Sequence, residues 1–168
     1  AVALAFSVFD MEAMIYMVRI SYDQKKHRGT LMNSFGARIV PSPSEETEFG
    51  RRILSESSDH PGTLGIAISE AMEDALGRED TKYTLGSVLN HVLLHQTVIG
   101  QETMLQLEAA EVEPDVLVGC CGGGSNFGGM VYPFIADKGY QETRYIAVEP
   151  TACPTLTKGR YEYDFGDT

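Results

Sequence analysis

Five consecutive residues, Gly122-Gly123-Gly124-Ser125-Asn126, have the composition of an anion cup. Glycines keep no side chain between backbone and ligand, and they let successive N–H groups turn toward one point. Ser125 and Asn126 add side-chain donors, and the helix expected to follow aims the positive end of its dipole at the same place. Together these residues make a phosphate cup of low net charge. The competing reading is a strand-to-helix turn that binds nothing. Three motifs that share some of these residues fail. A dinucleotide fingerprint begun at Gly122 needs glycine where Phe127 stands. A Walker-type loop needs Gly-Lys-Ser or Gly-Lys-Thr, which the sequence lacks. A nucleophile elbow centred on Ser125 also needs glycine at Phe127, which makes Ser125 a poor nucleophile.

Other reactive side chains carry weaker signals. His91 and His95 stand four residues apart and would share a helical face. Val92 occupies the place of the zinc-protease glutamate, so they read as ordinary helical histidines. Cys120 and Cys121 flank the glycine run and read as buried structural thiols, since a reactive thiol needs an electropositive setting. The carboxylates of Glu45, Glu46, Glu48, Glu70, Glu73 and Asp74 read as solvated helix faces.

The elements that must position the cup alternate. Residues 1–9 read as a buried helix, 14–20 as a strand, 24–35 as a helix stopped by Gly36, and 37–40 as a strand closed by Pro41. Ser44 is a candidate N-cap for a helix over 47–55. A second helix is expected over 64–76, a strand over 82–88 ending in a small-residue turn, and a long helix over 90–109. Strand 115–118 runs into the glycine loop, a helix follows over 128–138, and strand 145–148 ends at Glu149-Pro150. Alternation of this kind gives an α/β chain with parallel sheets.

Bulk properties narrow the function. The chain has 168 residues, 43% of them hydrophobic and 22% charged, as in a globular protein. A net charge of -11 repels phosphate backbones and argues against nucleic-acid binding. No apolar run reaches the ~18 residues of a membrane span. Three cysteines, two of them adjacent, do not form a disulfide framework and suit a reducing compartment. Both ends read as internal to a longer chain.

The segment VGCCGGGSNFGG (118–129) resembles the phosphate-binding segment of tryptophan synthase beta chains. TLGIAISEAMEDAL (63–76), YTLGSVLNH (83–91), VIGQET (98–103), AVEP (147–150) and LTKGRYEYDFGDT (156–168) resemble the same family, in order. The long stretch 42–62 is similar to the divergent second type of that chain. The resemblance implies a fold-type II pyridoxal 5'-phosphate (PLP) enzyme: three-layer αβα parallel sheets in two lobes, only partly present. It implies β-replacement on L-serine by indole to give L-tryptophan. By the resemblance, Gly122, Gly123, Gly124, Ser125 and Asn126 hold the PLP phosphate, and Gly86 and Ser87 form a turn beside the cofactor.

The lysine that carries the cofactor would then precede Ala1, so no residue of this chain is expected to be catalytic and the chain alone is expected to be inactive. Lys25, Lys26, Lys82, Lys138 and Lys158 lie outside the family's lysine context. Residues 1–100 are expected to form most of the small lobe, with its mobile subdomain, and 101–168 part of the large lobe. The resemblance also implies a cytoplasmic homodimer and leaves an alpha chain open as a partner. Two rival functions stay open: a serine or threonine deaminase-like β-eliminase, and a phosphate-binding module without catalysis.

Overall fold

A computed structural model describes residues 1–162, so the end of the LTKGRYEYDFGDT segment, residues 163–168, lies outside the described residues. The chain forms two compact units, one running Ala1–Tyr83 and taking in Glu162, the other Thr84–Tyr161.

The first unit begins with α1 (Val2–Val8) and β1 (Met14–Val18), followed by α2 (Arg19–Gln24), α3 (Lys26–Ser34) and β2 (Arg38–Ser42). Strands β1 and β2 pair in parallel, Met14 opposite Arg38 through Val18 opposite Ser42, so α2 and α3 make the crossover. The expected strand 14–20 stops at Val18 because Arg19 and Ile20 already turn into α2, where Ile20 N–H donates to Pro61 O at 2.9 Å. The expected single helix 24–35 is broken at Lys25, whose φ of -129° and ψ of 49° leave the helical region. Pro41 does not close the second strand. It lies inside β2, opposite Met17.

Helices α4 (Glu48–Glu56) and α5 (Leu64–Leu76) complete the unit, and α5 packs on α4, β1 and β2. The N-cap of α4 is Thr47, three residues beyond the expected Ser44; its Oγ1 accepts from Gly50 N–H at 3.0 Å. Thr63 caps α5 in the same way, accepting from Ile66 N–H at 3.2 Å. Ala3, Ala37, Val40, Pro43, Ile66 and Ala67 are among the buried apolar residues of this unit.

The second unit contains α6 (Asn90–Ala109), β3 (Val116–Cys120), α7 (Ser125–Ala136), a 3-10 turn (Lys138–Tyr140), β4 (Arg144–Val148) and α8 (Thr155–Lys158). Strands β3 and β4 pair in parallel, Val116 opposite Arg144 through Cys120 opposite Val148, with α7 as the crossover. Helix α7 packs on both α6 and β3. Phe134 and Val131 are its enclosed side chains, and Phe134 meets Tyr140 edge-on with ring centroids 4.8 Å apart. Burial of a phenyl ring of this kind contributes about 2–3 kcal/mol. The expected strand 82–88 is not formed: 81–86 have no regular structure and 87–89 bend into α6. Its β-prone residues end at Gly86-Ser87, and no strand pairs with them.

Candidate anion site at the start of helix α7

Strand β3 carries the chain straight into the glycine run. One residue beyond it, Cys121 N–H donates to Val148 O at 2.8 Å, so the strand pairing holds the chain up to the first glycine. Gly122, Gly123 and Gly124 bend, and Gly124 takes a φ of +99°, a backbone conformation that favours glycine. Helix α7 then starts at Ser125, three residues before the expected position 128. Ser125 and Asn126 are therefore in its first turn, where main-chain N–H groups lack helical partners. The N–H groups of Gly122, Gly123 and Gly124 donate to no acceptor among the described residues.

The structure brings the other expected pair to the same place. Ser125 N–H donates to Ser87 O at 3.2 Å. A Cβ built on Gly123 would lie 2.5 Å from Val88 Cγ1, 2.7 Å from Ser87 O and 2.8 Å from Ser87 Oγ. The Gly86-Ser87 turn and the glycine run are thus in direct contact, and Gly123 is glycine because Ser87 and Val88 fill the space of a side chain. Ser87 has a φ of +113°, outside the range comfortable for a residue with a Cβ.

Two side chains divide the work of the loop. Asn126 Nδ2 donates to Cys120 O at 2.9 Å, spanning the glycine run from its helical end back to the strand. Ser125 is 2% exposed, and its Oγ has no hydrogen-bond partner among the described residues. A buried hydroxyl without a partner costs about 1–3 kcal/mol, a cost that an acceptor supplied by a ligand would remove.

Helix α6 packs against α7, which follows the loop, at close range. A Cβ on Gly100 would strike Met130 O, and would lie 2.7 Å from Pro133 Cγ and 2.9 Å from Gly129 O. A Cβ on Gly129 would lie 2.6 Å from Gln96 Cβ and 2.7 Å from its carbonyl group. Pro133 lies inside α7 and has no N–H to give to the Gly129 carbonyl one turn earlier.

Sequence reasoning missed a second polar cluster, in the first unit. Glu70 is fully buried, not solvated. Its Oε1 accepts from Ser44 N–H at 3.1 Å, Ser44 Oγ at 2.6 Å and Thr47 Oγ1 at 2.7 Å. Its Oε2 accepts from Ser42 Oγ. One turn on, Glu73 accepts from Glu48 N–H at 2.6 Å and Phe49 N–H at 2.9 Å, closing the start of α4. These bonds, from Phe49 first and then Glu48, hold the Glu73 carboxyl below its ordinary range. Asp74 pairs with Arg78 at 2.7 Å. The Tyr16 hydroxyl is buried nearby; burial first, and the neighbouring Asp74 carboxylate next, push its phenol upward. Glu45, Glu46 and Glu48 are exposed as expected. The signal for Glu70 was its spacing: it shares a helical face with Ile66 and Ala67, opposite the hydroxyls of Ser42, Ser44 and Thr47.

The remaining candidates separate from the cup. Cys120 and Cys153 are exposed and Cys121 is partly exposed, which corrects the expectation of buried thiols beside the loop. Alternation along β3 turns Cys120 to the face opposite the one α7 covers. His91 and His95 are exposed on α6. Glu149 accepts from Leu156 N–H at 2.6 Å, Thr157 N–H at 3.0 Å and Thr157 Oγ1 at 2.7 Å, fastening α8 to the end of β4. The bond from Leu156 N–H, chief among these, lowers its carboxyl from the ordinary range. Among the described residues no group of three His, Cys, Asp or Glu is placed to hold a metal, and no helix is long and apolar enough to cross a membrane.

Comparison with known proteins gives a consistent result. The family described as "Pyridoxal-phosphate dependent enzyme" matches residues 1–165. The chain is 60% identical over its whole length to tryptophan synthase beta chain 2 of Methanothermobacter thermautotrophicus, covering 40% of that protein. It is 62% identical to the protein of the same name from Methanosarcina mazei and 59% to that from Thermotoga maritima, again over 100% of this chain, covering 38% and 40% of them. The chain therefore spans about two fifths of the length of these relatives.

Proposed function

The chain belongs to the pyridoxal-phosphate dependent enzymes, and on that footing we propose that the whole protein makes L-tryptophan from L-serine and indole by β-replacement. Gly122, Gly123, Gly124, Ser125 and Asn126 form the seat of the PLP phosphate, with Gly86 and Ser87 beside it. The observation that carries this reading is the Ser125 hydroxyl, enclosed and unpartnered at the first turn of a twelve-residue helix. The names of relatives at 59–62% identity support the choice of reaction.

The residues present fit a phosphate. The space beside Gly122 and Gly124 is open, and the N–H groups of Gly122, Gly123 and Gly124 have no protein acceptor among the described residues. No lysine or arginine stands in or next to the run in sequence, so within the run binding falls to N–H dipoles and hydroxyl or amide donors. Ser125 Oγ–H donates to a phosphate oxygen, and the start of α7 favours the negative charge. When bound, PLP supplies the electron sink that lets the serine hydroxyl leave and a nucleophile take its place. The chain's own part is to fix the phosphate end and so the orientation of the ring.

In the whole protein we place residues 1–100 in the small lobe with the mobile subdomain and residues 101–168 in the large lobe. Helix α6 lies wholly in the second compact unit, so that lobe boundary would cut through it. We further place the whole protein in the cytoplasm as a homodimer, with an alpha chain as an optional partner.

Full-length protein given PLP, L-serine and indole should consume indole and release tryptophan, followed by chromatography. Pyruvate from serine without tryptophan would replace the proposed reaction with the β-elimination reading. Neither product, with PLP bound, would favour the non-catalytic module.

A further inference from the structure

We propose that Ser87 is a positioning residue: its main-chain carbonyl, presented by a positive φ, takes the Ser125 N–H and thereby aims the Ser125 hydroxyl at the bound phosphate. The proposal rests on the reading of Gly122–Asn126 as a phosphate seat and assigns Ser87 a role within it other than direct contact.

Four observations on one side of the cup carry it. The Ser125 N–H, which a helix start would otherwise offer to an anion, is occupied by Ser87 O at 3.2 Å. Ser125 Oγ, on the same residue, is buried and has no partner. The Ser87 backbone sits at a φ of +113° with no glycine to ease it, a conformation that persists only when its surroundings fix it. The space that a Gly123 side chain would need is filled by Ser87 and Val88, so the turn cannot relax without changing the glycine run. The bond from Ser125 N–H orients that residue's backbone, and with it the χ1 wells open to the hydroxyl. The division of labour follows: glycine N–H groups and one hydroxyl face the phosphate, while the Ser87 carbonyl, together with the Asn126 amide on Cys120 O, holds the loop in shape.

The working group is the carbonyl, so the side chain of Ser87 is dispensable while its backbone conformation is not. Ser87→Gly keeps the carbonyl and adopts a φ of +113° freely, whereas Ser87→Val disfavours that φ and turns the carbonyl away. In full-length protein, PLP affinity is read by fluorescence titration, affinity for phosphate-free pyridoxal in parallel, and the environment of bound phosphate by its 31P resonance. Ser87→Gly should bind PLP within about twofold of the parent, and Ser87→Val roughly tenfold or more weakly, as expected for one lost hydrogen bond to an anion's ligand. Pyridoxal affinity should stay level in both, and the 31P resonance should move in Ser87→Val alone. Equal loss in the two variants would overturn the proposal by making the hydroxyl the working group. Equal retention with an unmoved 31P signal would overturn it by making the turn irrelevant. Ser125→Ala is the control on the underlying reading: if PLP affinity is unchanged there too, the phosphate seat itself is misplaced.

Discussion

Thr47 and Glu70 are joined through a single hydroxyl that works in both directions. Thr47 Oγ1 accepts from Gly50 N–H at 3.0 Å, capping α4, and donates to Glu70 Oε1 at 2.7 Å. Helix α5 therefore holds the start of α4 through the group that caps it. Glu70→Ala leaves the donors of Ser42, Ser44 and Thr47 buried without an acceptor and should cost about 3–5 kcal/mol. Glu70→Gln keeps one carbonyl oxygen, and the hydroxyls can rotate to meet its amide, so it should cost roughly half as much. Thermal melts of the full-length protein check this; a shift under about 2 °C for Glu70→Ala would refute it.

Glu73 gives the same junction an acid limit. Its carboxyl is lowered by hydrogen bonds from Phe49 N–H and Glu48 N–H, which the charged form accepts. A group lowered in the folded state stabilises above its ordinary value of 4.5, and that stability is lost as pH falls through the folded value. Glu73→Gln should flatten the stability profile below that pH and weaken the protein slightly at neutral pH. Denaturant midpoints measured across the acid range test it; parallel profiles for the two proteins would show that the clasp does not titrate.

Gly123 tolerates no side chain, since Val88 Cγ1 would lie 2.5 Å from its Cβ. Gly123→Ala should lower PLP affinity by roughly tenfold, and Gly123→Val further, because the backbone must shift or the Ser87 turn must open. Fluorescence titration decides, and unchanged affinity for Gly123→Val would remove this glycine from the site.

Gly129 lies outside the cup but against the backbone of Gln96. Gly129→Leu should push α7 from α6, costing about 1–3 kcal/mol by overpacking, and should weaken PLP binding without altering any residue of the seat. Melting and titration together test the link. A destabilised protein with parental affinity would show that the seat is independent of the helix pair.

The strand-to-helix turn at the glycine run was legible in the sequence because glycine runs have few uses and the flanking strand pattern was strong. The helix start was read three residues late, since Ser125 and Asn126 after three glycines look like loop residues, yet they form the first turn of α7. Strand 82–88 failed because β-prone residues need a partner strand, and here the chain turns at Gly86-Ser87 instead. Its contact with Gly123 is visible only in three dimensions, although the resemblance had placed both near one ligand. Glu70 was lost to a general rule: a glutamate on a helix is solvated unless something buried receives it. The receivers, Ser42, Ser44 and Thr47, lie 28, 26 and 23 residues away. The two carboxylates one turn apart, Glu70 and Glu73, look alike in sequence, and only the first is enclosed.

Helices α6 and α7 meet backbone to backbone where Gly100 faces Met130, Gly129 and Pro133. Side chains between helices act as springs, because their rotamers can yield before the axes move. At Gly100 and Gly129 this seam has few, Gln96 Cβ and Pro133 Cγ among them, so there it has little to yield. A displacement of α6 would therefore carry the start of α7, and the glycine turn that precedes it, along with it.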